Sequence, residues 1–349
     1  MDLGGRARGR RGARGAGRSP ADRGVNGARV ELLAALGGAD EVAATEVVVR
    51  VVESGAPVER VLLELIAGVQ VEIGLRWQRN LWSTAQEHAA TAVVERIIGV
   101  VAGRGSRAGD KGHVVLACLD GEWHAVPPRI VAEVLRLRGW RVEFLGASVP
   151  VGRLVAHLHE HGPDAVALSC TLSGSLPRAD QVATACLGTG TPVLVGGLGF
   201  GVDGRWARAL GLDGWAPTAT AAAELLEQPR WARTAPPAPR RDVDPEHAAL
   251  RARRGELVDA ALAALAPFAH QALPEDAGRL VDHLAASLYV DDPELFGSFV
   301  DWNADAQAAR GVPVAASEAA VNAMSRVLGD HPRALVHLDH GLSVLRTGS

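Results

Sequence analysis

Between residues 113 and 228 the chain alternates four short apolar runs with three stretches of helical period. The runs are His113–Leu119, Arg141–Leu145, Ala165–Ser169 and Pro192–Val195, and the helical stretches lie near 128–138, 151–161 and 175–187. A strand followed by a helix and another strand predicts parallel pairing, because the crossover must return the chain to the same end of the sheet. Both faces of such a sheet are covered by helices, as in Rossmann and flavodoxin-like domains. Ligands then sit beyond the carboxyl ends of the strands.

The flanks have a different period. In residues 28–103, Leu62, Leu63, Ile66, Val69 and Ile73 recur at helical spacing after Pro57, and Ser83-Thr84-Ala85-Gln86 reads as a capping box. A four-helix bundle is expected there. Residues 246–349 are helical again, with a start at Asp292-Pro293-Glu294, a stop at Gly311 and Pro313, and Leu280, Leu284 and Leu288 on one face. About five helices fit. Residues 229–245, with Pro236, Pro237 and Pro239, read as a linker. Residues 1–27 are a low-complexity Arg-rich tail, expected to be disordered.

With 48% hydrophobic and 22% charged residues over 349 positions, the chain is core-forming and multidomain, α and α/β. Cys118, Cys170 and Cys186 are too few for a disulfide framework. A net charge of −4 sets up no strong field toward nucleic acid. No apolar run reaches about 18 residues and no secretory signal is evident, so a cytoplasmic protein without a membrane span is expected.

Chemistry concentrates at the strand ends. The first strand runs into Leu119-Asp120-Gly121-Glu122-Trp123-His124, which puts an imidazole two residues after a carboxylate at the carboxyl edge. A neutral imidazole suits a borderline transition metal, and a carboxylate can fix its tautomer. The third strand ends at Ser169, with Thr171 two residues on, and the fourth in Gly196-Gly197, small enough to leave a channel. The bland alternative is a flavodoxin-like domain with an exposed histidine and an ordinary glycine turn.

This set, over residues 112–228, resembles the cobalamin-binding domain. The resemblance implies His124 as axial ligand to cobalt, Glu122 as its partner, Ser169 and Thr171 near the nucleotide base, and Gly196-Gly197 along the nucleotide tail. Glu122 stands where the family has Asp, Pro127 where it has Gly, and Thr171 where it has Leu.

In the bundle, Trp77 is followed after nine residues by Glu87-His88. This string resembles light-sensing adenosylcobalamin proteins of the CarH/LitR type, whose bundle encloses the adenosyl group. The alternative is a core Trp and a helix-start Glu. Gln78 stands where those proteins have a second cobalt-capturing His. Their winged helix-turn-helix has no counterpart here, so no sequence-specific DNA binding is expected.

The string from Tyr289 through Phe296 and Trp302 to Arg310-Gly311 resembles a globin-like, bilin-binding module, as found in photocobilins. It implies biliverdin, bound among Tyr289, Trp302, Arg310, Arg333 and His283. With no Cys beyond Cys186, attachment through a thioether in this module is excluded. The alternative is a helical dimerisation domain. His157 and His161 read as a helix end rather than a metal site, and His331, His337 and His340 have poor ligand spacing.

The function these resemblances imply is a photoreceptor rather than an enzyme. It would use adenosylcobalamin with biliverdin as a second chromophore, and would signal through a homodimer or homo-oligomer or a downstream protein. The competing expectations are a corrinoid methyl carrier and a light-independent cobalamin-responsive antirepressor.

Overall fold

A computed structural model describes residues 20–105, 109–212, 214–228, 244–268 and 274–347. Residues 1–19 of the expected tail and 229–243 of the expected linker lie outside the described residues. The first helix, α1 (Pro20–Gly37), starts eight residues before the expected boundary at 28. Its opening proline needs no hydrogen-bond acceptor there.

The bundle continues with α2 (Glu41–Glu53), capped by Asp40, whose side chain accepts from the Ala43 N–H. Next, α3 (Val58–Arg60) runs through a π-helical turn, Val61–Ile66, into α4 (Ala67–Gln78). The fourth helix of the bundle, α5 (Thr84–Ala102), opens with the expected capping box, in which Ser83 and Gln86 each satisfy the other's backbone N–H. Leu32, Leu36, Leu62, Leu65, Ile73 and Ile97 fill the core. Each contributes about 2 kcal/mol through burial.

Five parallel strands follow: β1 (His113–Cys118), β2 (Arg141–Gly146), β3 (Ala165–Ser169), β4 (Val193–Gly196) and β5 (Trp215–Ala216). They lie in the order β2-β1-β3-β4-β5. Crossover helices α6 (Val126–Leu137), α7 (Val151–His161), α8 (Leu176–Leu187) and α9 (Arg205–Ala209) connect them, and α10 (Ala219–Leu226) closes the domain. The bundle seats on α6. Val126, Ile130 and Val134 belong to the bundle's core, and Arg138 pairs with Glu59 at 2.6 Å.

Among the described residues, six helices make up the C-terminal module, one more than expected. They are α11 (Pro245–Ala252), α12 (Arg254–Leu265), α13 (Pro274–Val290), α14 (Pro293–Ala308), α15 (Val314–Val327) and α16 (Pro332–Thr347). Leu280, Leu284 and Leu288 face inward together, with Phe296, Met324 and Leu338. Ala286, Val290 and Leu295 are buried instead in the core under the sheet. That shared core fixes the module to the α/β domain. No described helix is long and apolar enough to cross a membrane.

Candidate functional site

The register places Cys118, Ser169 and Gly196 side by side where β1, β3 and β4 end. After β1 the chain turns at Gly121, whose φ of 81° suits a residue without a side chain. The turn is held by Ser148 Oγ, which accepts the Gly121 N–H at 3.0 Å, and by Arg178, which donates to the Asp120 carbonyl at 2.6 Å. It directs Glu122 inward and leaves Trp123 and His124 outside.

Glu122 is 3% exposed, whereas the His124 side chain is 51% exposed. One carboxylate oxygen lies 2.5 Å from His124 Nδ1 and accepts the His124 backbone N–H at 3.0 Å. The other accepts the Thr171 N–H at 2.6 Å. The longer arm of Glu in place of Asp therefore reaches two loops. Burial opposes the charge on Glu122, but the bonds from His124 and Thr171 outweigh it and hold the acid below its ordinary range. For His124, the Glu122 hydrogen bond raises its affinity for a proton. Burial opposes this; the charges of Glu122 and of Glu87 on α5 add to it, and Arg279 on α13 opposes it. With Nδ1 committed to the carboxylate, a neutral His124 presents Nε2 outward as a ligand atom.

Trp123, Leu172 and Leu198 expose large apolar surface on the loops around this edge, Trp123 most of all at 74%. An imidazole oriented from behind, on a sheet edge whose loops expose apolar side chains, fits a flat, largely apolar cofactor with a metal at its centre. The buried thiols do not compete for that role. Burial pushes Cys118 up to about 12 and Cys170 upward as well.

Gly197 has a closer reason to be glycine than an open channel. A Cβ there would stand 2.2 Å from the Cys170 carbonyl oxygen, at φ 103°. Gly196 is looser, 3.3 Å from the Ala216 carbonyl oxygen. Thr171 enters the site through its backbone N–H, a contact that does not depend on which side chain it carries.

Trp77 ends α4, with Nε1 donating to Thr84 Oγ1 at 3.2 Å. Glu87 accepts from Thr91 at 2.9 Å and pairs with His88 Nδ1 at 2.8 Å. Glu87 on α5 lies near enough to His124 for its charge to raise the proton affinity of that ring.

The five residues expected to hold a bilin divide into two places. Trp302 and Arg310 meet Trp77, and His283 joins them through Phe299. The Arg310 guanidinium stacks over the Trp77 ring at 4.7 Å and donates to the carbonyls of Trp77, Gln78 and Ala306. Trp302 stacks on Trp77, and His283 lies flat on Phe299. Tyr289 and Arg333 are elsewhere. Tyr289 donates to Asp180 on α8 at 2.5 Å, and Arg333 is paired with Asp244 and Asp291 inside its own module. Both are held by acidic side chains that pattern reading does not reveal. Phe299, Arg279 and Gly174 also line this region and were missed. Phe299 lies three residues before Trp302 on α14, a spacing that puts both on one face.

His157 and His161 stack on each other at 4.0 Å at the end of α7. No group of three metal-ligating side chains able to hold an ion occurs among the described residues. His337 pairs with Ser287, and His340 with Glu294.

Residues 112–225 match the family described as a B12 binding domain, and residues 29–102 match a second family of the same description. These two segments are cobalamin-binding domains. It is 32% identical over 178 residues to the HTH-type transcriptional repressor CarH of Myxococcus xanthus, covering 48% of this chain and 57% of that repressor. The chain thus spans little more than half the length of that relative. It is 27% identical over 190 residues to trimethylamine corrinoid protein 1 of Methanosarcina mazei, covering 52% of this chain and 87% of that protein. The solved monomethylamine corrinoid protein of Methanosarcina barkeri aligns at 18% identity and a TM-score of 0.49, over 56% of this chain and 94% of that one.

Proposed function

We propose that this cobalamin-binding protein is a light sensor that uses the adenosyl form of the cofactor. The observation that supports this reading is the His124 ring held by the buried Glu122, in a chain whose bundle also carries Trp77 and the Glu87-His88 pair. When bound, adenosylcobalamin supplies a cobalt–carbon bond that light breaks. The chain's part is to hold that cofactor and to register its loss. His124 Nε2 would hold the metal, with Glu122 keeping the imidazole in the right tautomer. The Trp77 indole, anchored by Thr84 and Arg310, would pack against the adenosyl group. Gln78 offers only an amide where the resemblance leads one to expect a second His, so this chain has no His ligand at that position. The output is a changed surface, read by a second copy or by a protein partner, without catalytic turnover.

The same reading gives the C-terminal module a globin-like role in binding biliverdin. Supporting it are the aromatic faces of Trp302, Phe299 and His283, with Arg310 beside them. Binding a propionate would require Arg310 to release backbone carbonyls. Biliverdin added to the full chain should develop a red-absorbing band and separate from the protein in acid denaturant. If no band forms, the module holds no bilin.

The corrinoid proteins of methylamine systems support a second reading, a methyl-carrying protein, because the match covers most of their length. Absorbance spectra of the adenosylcobalamin-loaded chain before and after green light decide between the two. A light-driven change that persists in the dark supports the sensor. No change under light, together with methylation of the bound corrinoid by a methylamine-type methyltransferase, supports the carrier.

A further inference from the structure

The C-terminal module touches both the bundle and the strand-end loops of the α/β domain. Arg310 and Trp302 meet Trp77 on the bundle side, while α13 packs on the Ser173–Ser175 turn that directly follows β3. Between these ends the contacts are continuous. Trp77 and Trp302 stack with centroids 6.2 Å apart. Trp302 meets Phe299 at 6.1 Å. Phe299 lies on His283 at 3.6 Å with planes 8° from parallel. His283 fills the space over Gly174, where a Cβ would stand 3.0 Å from the ring. Three residues before Gly174, the Thr171 N–H is held by Glu122, the carboxylate behind His124.

We propose that the C-terminal module couples the two faces of the cobalamin site. Trp302 and His283 act as positioning residues that carry the placement of Trp77 to the Glu122–Thr171 contact behind His124. The inference rests on cobalamin binding with His124 below the metal, and needs neither light nor an adenosyl group.

Slack would defeat such a path, and the structure leaves least of it at the His283 end, Trp302 being 39% exposed. His283 is 3% exposed and Phe299 is buried. His283 Nδ1 is tied to the Arg279 carbonyl at 2.7 Å, so the ring cannot turn without breaking that bond. On its other side the ring lies against Gly174, where a Cβ would stand 3.0 Å from it. Packed groups without free volume pass a displacement on rather than absorb it. A shift of Trp77 therefore presses, through Trp302 and Phe299, on a ring whose remaining neighbour is the turn that fixes Thr171.

The test uses the full chain carrying Trp302→Ala, at a position 39% exposed where truncation opens no sealed cavity. Two quantities are read. One is hydrogen exchange at the Thr171 amide in the ligand-free chain. The other is the nitrogen splitting from His124 in the electron paramagnetic resonance spectrum of the reduced, cobalamin-loaded chain. Trp302→Ala is expected to change the Thr171 exchange rate and the His124-bound fraction by about threefold or more, the lower range for coupling of this kind. His283→Ala should act in the same direction, and the double variant should do no more than the larger single change. Unchanged exchange and an unchanged bound fraction in Trp302→Ala overturn the coupling, as does a strictly additive double variant. A parent chain lacking nitrogen splitting removes His124 as the lower ligand, and the exchange measurement then decides the coupling alone.

Discussion

The carboxylate of Glu122 stands 2.5 Å from Nδ1 of His124, one partner sealed inside the protein and the other half in solvent. The buried acid fixes a ring that must remain accessible on its far side. Replacing Glu122 by Gln keeps the shape and removes the charge, and should weaken His-bound cobalamin by about tenfold. His124→Ala should abolish the His-bound spectrum while cobalamin is still retained by the rest of the site. The measurement is a cobalamin titration followed by absorbance. A His124→Ala chain whose spectrum and affinity match the parent removes the ligand assignment.

Gly197 and Gly196 should respond differently to the same added methyl group. Gly197→Ala brings a Cβ against the Cys170 carbonyl at a φ that disfavours any side chain, and should cost about 3 kcal/mol. Gly196→Ala should cost about 1 kcal/mol. Urea unfolding of the ligand-free chain checks both. Equal losses would mean that the two loops do not depend on this close approach.

Trp77→Ala removes the indole that Arg310, Trp302 and Thr84 hold in place. Adenosylcobalamin should lose about tenfold in affinity, and hydroxocobalamin, with its small upper ligand, much less. Equal losses for the two cofactors in parallel titrations would make Trp77 a packing residue only.

Acid should loosen the C-terminal module before it affects the bundle. Burial lowers the proton affinity of His283 to a pKa of about 4, and His247 and His337 shift the same way. Unfolded histidines titrate near 6.5, at about the ordinary value. The unfolded chain therefore takes up protons first as the pH falls, and stability is lost between about pH 6.5 and pH 4 but not above. For His283 the full loss is on the order of 3 kcal/mol. Urea midpoints at pH 7, 6 and 5 should fall steeply in the parent and less in His283→Gln. Parallel slopes would exclude His283 as the cause.

The parts legible in sequence were those written in local period and spacing. The four long strands, the capping box at Ser83 and the leucine face of α13 all follow from residues a few positions apart. β5 was missed because Trp215–Ala216 is too short to carry a period; it exists by pairing with β4. The Glu122–His124 pair was readable from two residues' spacing. The Thr171 N–H, 49 positions away, was not. Likewise Arg310 has its partners in the bundle, more than 230 positions earlier, and Arg333 is held by Asp244 and Asp291. Residue types gave the list of candidates, but only the fold could show that Tyr289 and Arg333 have their partners apart from the other three.

The π-helical turn at Val61–Ile66 takes one residue more than an α-helical turn would, ahead of the stretch that carries Trp77. Its wider winding absorbs that residue without changing the direction in which the helix beyond it faces. Deleting a single residue there would let the segment relax to an ordinary α-helix and leave Trp77 facing as before. Deleting one from the α-helical stretch Ala67–Gln78 would instead turn everything beyond the cut by about 100° around the axis and carry the Trp77 carbonyl away from Arg310. In this helix a change of length is absorbed at the turn and felt at the tryptophan everywhere after it.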